Sequence, residues 1–455
     1  MTADSPPPRR MLLNAFTMNC VSHIQQGLWR RPEARQVDYT SFEPWLDLAR
    51  ICERGRFDTV FFADVMGVYD TYAGSGDAAI RTGMQTPVND PMLLVPAMAT
   101  VTTDLGFAFT ASIYQAHPFT LARQFSTLDH LTGGRIGWNI VTGYLESASR
   151  NLDLDDLPAH DDRYERAEEF LDVVYALWEG SWEEDAVLAD RRNGVYADPT
   201  KVHKINHRGR HYRVDGPHLA EPSPQRTPVL FQAGSSDRGR DFAARHAEGA
   251  FIPTSRSNRP VLDLNQRVEA MGRRPGDVVF IGAVSPVVGG TEAEARAKEE
   301  EYREVLSIEA GLVHIAGNVG VDLSDIDPDR SLESLRTDGV QGLVKSLIDS
   351  APPGTRTFAD LVRSNMAGQF LTGSVEQVAD KLQRRFERGV DGFNIVTSVL
   401  PGTITDFVDG VVPILQERGL VQRDYEPGTL RNKLFGSARL PGRHPAARFR
   451  RMTGA

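Results

Sequence analysis

The chain has 455 residues, of which 40% are hydrophobic and 25% charged, as in an ordinary globular protein with a large buried core. Its net charge of −10 comes from interspersed acidic and basic residues, which argues against a nucleic-acid or anionic-membrane surface, because both need a concentrated positive field. Two cysteines without a CxxC pair, and the lack of an apolar signal core or a long apolar run, predict a cytoplasmic protein without a disulfide framework.

A short apolar run followed by a helical stretch repeats along the chain and predicts eight strands. In chain order they cover residues 11–16, 57–64, 105–112, 135–141, 228–234, 249–254, 278–288 and 391–397. The clearest helix lies over residues 164–178, where apolar side chains recur every three or four positions. Near-continuous apolar runs are typical of parallel strands covered by helices. The sequence therefore predicts the α/β class and a closed (β/α)8 TIM barrel, in preference to an open doubly wound sheet.

Two stretches depart from this repeat and are interpreted as insertions in a single barrel domain that covers residues 1–436. Residues 179–227 contain short strand-like pieces and many turn residues. Residues 311–372 are polar and rich in Gly and Pro, which fits either a lid or a surface excursion. Residues 437–455 contain several arginines and no acid, and we expect a flexible basic tail there.

Polar residues recur where the predicted strands end. They are Asp64, Thr110, Ser112, Asn139, Thr142, Gln232 and Asn394. In a barrel of this type the active site lies at the carboxyl ends of the strands, so these residues predict a site at that rim. Any one of them could instead be a turn residue or a helix cap.

The best single element is Gly234-Ser235-Ser236, between the fifth strand and the helix after it. The unpaired N–H groups and the dipole at a helix start bind an anion well, and a phosphate is the usual guest. Arg238 and Arg240 follow and could add charge. The alternative is a serine that caps the helix and binds nothing.

His160 and Tyr164 form a second element just before the clearest helix. Four residues apart, they share a face if the helix begins early enough, and both can donate to a phosphate or a ring oxygen. A surface cap is the alternative for His160. Arg81 or His117 could meet an anionic substrate, with plain surface positions equally open.

Other catalytic motifs are missing from the sequence: there is no GxxxxGK[ST], HExxH or GxSxG. His203, His207 and His211 recur every four residues, but they surround Gly209 and predict a solvated loop rather than a metal site.

Long segments of the chain resemble the bacterial-luciferase-like flavin monooxygenases. They are FDTVFFAD, LARQFSTLDHLTGGRIGWNIVT, HDDRYERAEEFLDVV, PVLFQAGSSDRGRDFAARHAE, DGFNI, LPGTITDFVDGVVPILQERG and YEPGTLRNKL. The resemblance covers about residues 10–436. It is strongest to the subgroup of nitrilotriacetate and EDTA monooxygenases, dibenzothiophene-sulfone monooxygenase and pristinamycin IIA synthase.

This resemblance implies a two-component enzyme that binds reduced FMN (FMNH2), supplied by a separate NAD(P)H:flavin reductase, and uses O2 to oxygenate a small organic substrate. It also implies a homodimer or homotetramer. Its flavin-contacting positions match Asp64, Thr110, His160, Tyr164 and Ser236, with Ser235 as a neighbour and Ser112 and Asn139 as additions. It assigns no catalytic acid or base.

Three other functions stay open on the sequence alone. An F420-dependent oxidoreductase of the same superfamily would transfer hydride instead of activating oxygen. A barrel of this kind could also bind flavin without chemistry. A metal hydrolase is disfavoured because paired His and Asp ligands do not occur at the strand ends.

Overall fold

The computed structural model describes residues 9–451 except 155, 254–257, 338–350, 352–353 and 369. The strands are β1 Leu12–Met18, β2 Thr59–Ala63, β3 Gly106–Ser112, β4 Ile136–Val141, β5 Val187–Asp190, β6 Val195–Ala197, β7 His207–Arg208, β8 Arg213–Val214, β9 Val229–Gln232, β10 Gly249–Ile252, β11 Val279–Gly289, β12 Phe370–Ser374 and β13 Gly392–Val396.

The α-helices of the described residues are α1 Glu43–Arg54, α2 Asp77–Thr82, α3 Val95–Ala99, α4 Pro118–Thr132, α5 Glu146–Asn151, α6 His160–Gly180, α7 Asp237–His246, α8 Arg259–Ala270, α9 Glu292–Val305, α10 Ile308–Val319, α11 Leu332–Thr337, α12 Phe358–Ala367, α13 Val375–Glu387, α14 Gly402–Asp406, α15 Val412–Glu417 and α16 Leu430–Phe435. A π-helical turn, Phe407–Val411, joins α14 to α15. No helix among these residues is long and apolar enough to cross a membrane.

Eight parallel strands close into a barrel in the order β1, β2, β3, β4, β9, β10, β11, β13 and back to β1. They are the eight strands that the apolar runs predict, so the predicted (β/α)8 barrel is confirmed. The predicted end of the sixth strand, at residue 254, lies outside the described residues. Helices cover the outside and bury the apolar faces of the strands, as in other barrels of this type.

One parallel strand was not predicted. β12 pairs with the second half of β11, from Ser285 opposite Phe370 to Gly289 opposite Ser374. It begins within the segment 311–372 that we interpreted as an insertion. Its sequence, FLTGS, has only two large apolar residues and reads as a turn, so its strand state depends on the partner β11.

The amino-terminal end of the barrel is closed by α16. Leu430 packs with Phe61, Phe231 and Ile281 in the barrel interior. Gly106 allows this approach, because a Cβ there would lie 2.7 Å from Leu430 Cδ1. The filled floor leaves the carboxyl-terminal rim as the end at which a ligand can enter.

The C-terminal segment differs from the expected flexible tail as far as it is described. Residues 445–449 form a 3-10 turn in which Ala446 is fully buried. Arg439 pairs with Glu184 at 2.6 Å and Arg450 with Glu179 at 2.7 Å. The arginines that suggested a solvated tail are therefore neutralised by acids of the barrel, and they hold the segment in place. Residues 452–455 lie outside the described residues.

Candidate active site

The start of α7 and the start of α6 meet at the rim. Ser236 caps α7, and its Oγ accepts the Gly239 N–H at 3.1 Å. His160, the first residue of α6, has its Nε2 hydrogen-bonded to Ser236 Oγ at 3.0 Å. Two residues that are 76 positions apart in the chain thus share one hydrogen bond at a helix N-terminus, where the dipole is positive.

Tyr164 completes this group. Its ring lies 5.1 Å from the ring of His160, measured between centroids. A Cβ on Gly239 would lie 2.7 Å from the Tyr164 hydroxyl, so that hydroxyl sits over the first turn of α7. We call His160, Tyr164, Ser236 and the first turn of α7 the cradle. Its donors and its dipole suit an anion such as a phosphate.

The neighbours of the cradle support the turn but do not add free charge. Gln232 Oε1 accepts the Gly234 N–H at 2.6 Å, and the Ser235 carbonyl accepts from Arg240 Nη1 at 2.8 Å. Arg240 pairs with Asp237 at 2.7 Å, and Arg238 lies 3.9 Å from Glu168. The added positive charge that the sequence suggested is therefore compensated by carboxylates.

A cleft of about 630 Å3, open to solvent, lies at the carboxyl ends of β2, β3 and β4. Asp64, Thr110, Ser112 and Thr142, four of the polar residues expected at the rim, line it. Asn394 does not reach this rim, because it accepts from Asn14 Nδ2 at 3.0 Å inside the barrel, and this placement corrects the sequence expectation.

Thr110 and Asn139 are joined beneath the cleft. Thr110 Oγ1 donates to the Phe62 carbonyl at 3.1 Å and accepts from Asn139 Nδ2 at 2.8 Å. Asn139 Oδ1 is buried and has no hydrogen-bond partner within the described residues. A buried acceptor without a partner is costly, so this atom marks a place where a ligand donor would stabilise the protein.

The Asp64 carboxyl is the strongly perturbed acid of the cleft. Burial raises its pKa from 3.8 to about 7, helped by the charge of Asp90 and opposed by the Val65 N–H, which donates to Asp64 Oδ1 at 2.9 Å. Near neutral pH the carboxyl is therefore partly protonated and can donate a hydrogen bond as well as accept one.

We expect Asp64→Asn to change the dependence of stability on pH. The unfolded chain releases this proton near pH 3.8, whereas the folded chain keeps it to about pH 7. Wild-type stability therefore falls as pH rises from about 4 to about 7, because the folded state binds more protons there. The variant lacks that loss and should gain about 1–2 kcal/mol relative to wild type between about pH 4 and about pH 8, less than the full shift because water reaches the cleft. Urea unfolding at about pH 4 and about pH 8 gives the free energies of unfolding of the two proteins. If the free-energy difference between variant and wild type is the same at both pH values, the assignment is contradicted.

The cradle and the cleft are adjacent. Leu157 lines the cleft, and His160 of the cradle follows three residues later in the chain. Three residues span at most about 11 Å, so one elongated ligand can contact both.

A cluster of aromatic side chains behind Tyr144 was missed by sequence reasoning. Tyr144 lines the cleft, and its hydroxyl is hydrogen-bonded to that of Tyr69. The Tyr69 ring lies 5.7 Å from the ring of His314 on α10. Burial and the proximity of His314 lower the pKa of His23 to about 3, and burial lowers the pKa of His314 to about 4. His23 stands five residues beyond β1, a position that could have been noticed, but nothing local pointed to His314.

The histidines that suggested a metal are bound to different carboxylates. His203 Nε2 lies 2.8 Å from Glu183 and His207 Nε2 lies 3.1 Å from Glu169. Across the part of the chain that the structure describes, no three potential metal ligands come together.

Comparison with known proteins assigns this chain to one family. The model of the luciferase-like monooxygenase family matches residues 18–392, which is most of the chain. The chain belongs to the luciferase-like monooxygenases. It is a monooxygenase by family, as its similar curated relatives are.

Three relatives show how far the similarity extends. A dimethyl-sulfide monooxygenase from Hyphomicrobium sulfonivorans is 45% identical over 97% of this chain and 94% of its own. A long-chain alkane monooxygenase from Geobacillus thermodenitrificans is 45% identical over 98% and 99%. A nitrilotriacetate monooxygenase component A from Aminobacter aminovorans is 36% identical over 91% and 94%.

Solved structures agree with the same fold. The crystal structure of DmoA from Hyphomicrobium sulfonivorans superposes with a TM-score of 0.91 at 44% identity, covering 97% of this chain and 96% of that one. A riboflavin lyase solved with modified FMN and riboflavin gives a TM-score of 0.87 at 35% identity, covering 97% and 100%.

Proposed function

We propose that this chain is the oxygenase component of a two-component system, which binds reduced FMN and uses O2 to oxygenate a small organic substrate. The observation that carries the proposal is the cradle, in which His160, Tyr164 and Ser236 meet at the start of α7 beside the open cleft. With its phosphate at the cradle, the cofactor would have the adjacent cleft for its ring.

The residues present suit FMN in three respects. The cradle offers donors and a positive dipole for the phosphate. The partly protonated Asp64 carboxyl can donate to a ring acceptor, and the orphaned Asn139 Oδ1 can accept from a ring donor. When bound, reduced FMN supplies the two electrons with which one atom of O2 enters the substrate and the other leaves as water.

The chain's own part is to bind, orient and exclude water. Ser236 and Tyr164 would hold the phosphate, and Thr110 fixes the amide of Asn139 through their 2.8 Å hydrogen bond. Lining residues between 144 and 154, together with Leu157, form one side of the cleft and would shield a bound ring there from water.

The relatives support the proposal without fixing the substrate. One structure at 35% identity contains modified FMN, and the name component A implies a second component. The names of relatives include neutral compounds, such as dimethyl sulfide and alkanes, and the carboxylate nitrilotriacetate. The partner that we propose is a separate NAD(P)H:flavin reductase. The assembly that we propose is a homodimer or a homotetramer, and sedimentation would test it.

Rapid mixing tests this function. Protein loaded with reduced FMN without air, then mixed with O2, should form a transient whose absorbance differs from that of both reduced and oxidised FMN and from free flavin. Oxygen uptake that rises with substrate would exclude a barrel that only binds flavin. Turnover supported by reduced F420 and not by reduced FMN would instead establish the hydride-transfer alternative.

Replacing the capping serine should separate flavin binding from helix capping. Ser236→Ala should weaken reduced FMN by about 1–2 kcal/mol, the usual loss for one hydrogen bond to a charged group. It should also lower stability by about 1 kcal/mol through the lost cap. Thr291→Ala is the matched control, because Thr291 caps α9 in the same way away from the cradle. Thr291→Ala should lose stability in unfolding measurements but keep its affinity for reduced FMN in anaerobic titrations. Equal flavin affinities in the two variants would remove Ser236 from the site.

A further inference from the structure

The two helices that carry the cradle meet a second time, behind their first turns. Tyr164 and Glu168 are four residues apart on α6, and Phe242 and His246 are four residues apart on α7. Residues with this spacing lie on the same face of a helix, so both pairs can face the other helix. We call these four residues the clamp.

Direct contacts join the four residues of the clamp. The Tyr164 ring lies 5.4 Å from the Phe242 ring, and the Phe242 ring lies 4.8 Å from the His246 ring, measured between centroids. All three rings are buried. His246 Nε2 is hydrogen-bonded to the Glu168 carboxylate at 2.9 Å. The path of contacts therefore runs from Tyr164 across α7 and returns to α6 at Glu168, about one turn from where it began.

The charge states of the clamp favour this hydrogen bond. Burial acts to raise the pKa of Glu168, but the hydrogen bond from His246 and the charge of Arg245 outweigh it. The pKa therefore lies below its usual value, and the carboxylate is charged at neutral pH. Burial lowers the pKa of His246 in spite of Glu168, which leaves the imidazole neutral there. A neutral imidazole has one N–H, so Nε2 donates to Glu168 while Nδ1 accepts from the Tyr175 hydroxyl at 3.3 Å.

The partners of Glu168 among the described residues all lie on α7. Besides His246 they are Arg245, whose Nη1 is 3.3 Å from the carboxylate, and Arg238, whose Nη2 is 3.9 Å from it. In a close-packed interior, the displacement of one side chain is passed to those that touch it. A carboxylate that α6 supplies and α7 neutralises therefore fixes how the two helices lie against each other.

The C-terminal segment holds the far end of α7 next to the clamp. His444 Nε2 donates to the His246 carbonyl at 2.9 Å, and His444 Nδ1 accepts the Ala446 N–H at 3.1 Å. The His444 ring packs edge-on against Tyr175, 5.7 Å between centroids. His246 is thus fixed at its ring by Glu168 and Tyr175, and at its backbone by His444.

The cradle has a weak link between its two helices. The hydrogen bond between His160 and Ser236, which joins α6 to α7 there, is exposed and competes with water. A bound phosphate needs the Tyr164 hydroxyl and the α7 N–H groups to stay within about 0.5 Å of one geometry, which rigid supporting contacts provide. The clamp provides a buried contact of this kind, because Tyr164 belongs both to the cradle and to the clamp.

We propose that Glu168 is a positioning residue for the cradle. Through His246 and Phe242 it keeps the Tyr164 hydroxyl over the first turn of α7, without touching the ligand itself. The inference rests on the function proposed above, and it specifies what holds the phosphate half of that site in place. Its consequence is selective: the loss of Glu168 should weaken the binding of a phosphate and leave the binding of the flavin ring unchanged.

Anaerobic titration of Glu168→Ala with reduced FMN and with reduced riboflavin tests this selectivity. The affinity for FMN should fall by about fivefold or more, since a misplaced hydrogen bond to a charged group loses part of its usual contribution. The affinity for riboflavin, which lacks the phosphate, should not change. Glu168→Gln should recover most of the FMN affinity, because the side-chain amide oxygen still accepts the His246 N–H.

Glu169→Ala is the matched control. Glu169 is the next residue of α6 and is as fully engaged, but its partners lie on the hairpin of β7 and β8. Its carboxylate is hydrogen-bonded to His207 Nε2 at 3.1 Å and accepts the His211 and Tyr212 N–H groups at 2.9 and 2.8 Å. This control should lose stability in urea unfolding and keep both flavin affinities.

A second variant loosens the clamp without leaving a polar group unpaired. Phe242→Leu removes the ring between Tyr164 and His246, and it should reproduce the selective loss of FMN affinity. It also decides the question if Glu168→Ala does not fold.

The outcomes separate this inference from the proposed function. An unchanged ratio of FMN to riboflavin affinity in Glu168→Ala and Phe242→Leu, or an equal loss for both flavins, would overturn the positioning role alone. The same selective loss in Glu169→Ala would overturn it as well, because any loosening of α6 would then suffice. Wild-type protein that fails to bind reduced FMN would overturn the proposed function. Wild-type protein that binds the two flavins equally would overturn the cradle, and this inference with it.

Discussion

Gly239→Ala is expected to remove tight binding of reduced FMN while leaving the protein folded. The added Cβ would lie 2.7 Å from the Tyr164 hydroxyl and 2.9 Å from Gly234 Cα. The methyl group therefore displaces the tyrosine or opens the turn that carries Ser236. Such overpacking costs about 1–3 kcal/mol, and here the loss falls on flavin affinity as a weakening of roughly 5- to 150-fold.

The helix itself should tolerate the change. Ala is a better helix former than Gly by up to about 1 kcal/mol, which offsets part of the strain in unfolding measurements. Gly402→Ala is the control, because a Cβ at that position in α14 meets nothing within 4 Å. Anaerobic titration should show unchanged affinity for the control and a large loss for Gly239→Ala. Equal affinity of both variants would show that the first turn of α7 does not contact the cofactor.

Arg431→Ala should be the most destabilising single change that the structure indicates. Arg431 is 1% exposed, and its guanidinium donates to the Glu248 carboxylate at 2.7 and 2.9 Å and to the Pro228 carbonyl at 2.8 Å. Removing it leaves Glu248 charged and buried without its partner, which typically costs about 3–5 kcal/mol. The floor of the barrel should loosen with it, since α16 carries Leu430 into the interior.

A double variant distinguishes charge burial from lost packing. Arg431→Met with Glu248→Gln removes both charges and keeps much of the volume, so it should recover most of the stability that Arg431→Ala loses. Urea unfolding gives the free energies of unfolding. If the single and double variants are equally unstable, packing and not the uncompensated carboxylate is responsible.

The barrel could be predicted because its strands carry their own signal. Runs such as residues 60–63 and 105–109 contain no polar side chain, as is typical of strands buried on both sides. β12 lacks that signal and is a strand only because β11 extends beyond the barrel and offers it an edge. The C-terminal segment was misjudged for a related reason: the acids that neutralise Arg439 and Arg450 lie 255 and 271 residues away, where no local pattern shows them.

The candidate site also contains residues that the sequence predicts and residues that it misses or misplaces. Ser236 was found because a serine between a strand and a helix has a recognisable physical role, and the structure joins it to His160 and Tyr164. His314 was missed because it enters from α10, in a segment whose sequence gives no hint that it folds back beside Tyr69. Asn394 was misplaced by its position in β13, where the side chain turns inward to Asn14. The sequence predicts where a strand lies more reliably than it predicts whether a given side chain of that strand reaches the rim.

The central claim is that the cradle holds the phosphate of a reduced flavin, and anaerobic titration with reduced FMN and with reduced riboflavin tests it most directly. The two ligands share the ring and differ by the phosphate. FMN should bind at least about tenfold more tightly, as expected for several charge-assisted hydrogen bonds. That advantage should shrink in a Tyr164→Phe, Ser236→Ala double variant. Equal affinities of the wild type for the two flavins would contradict the account.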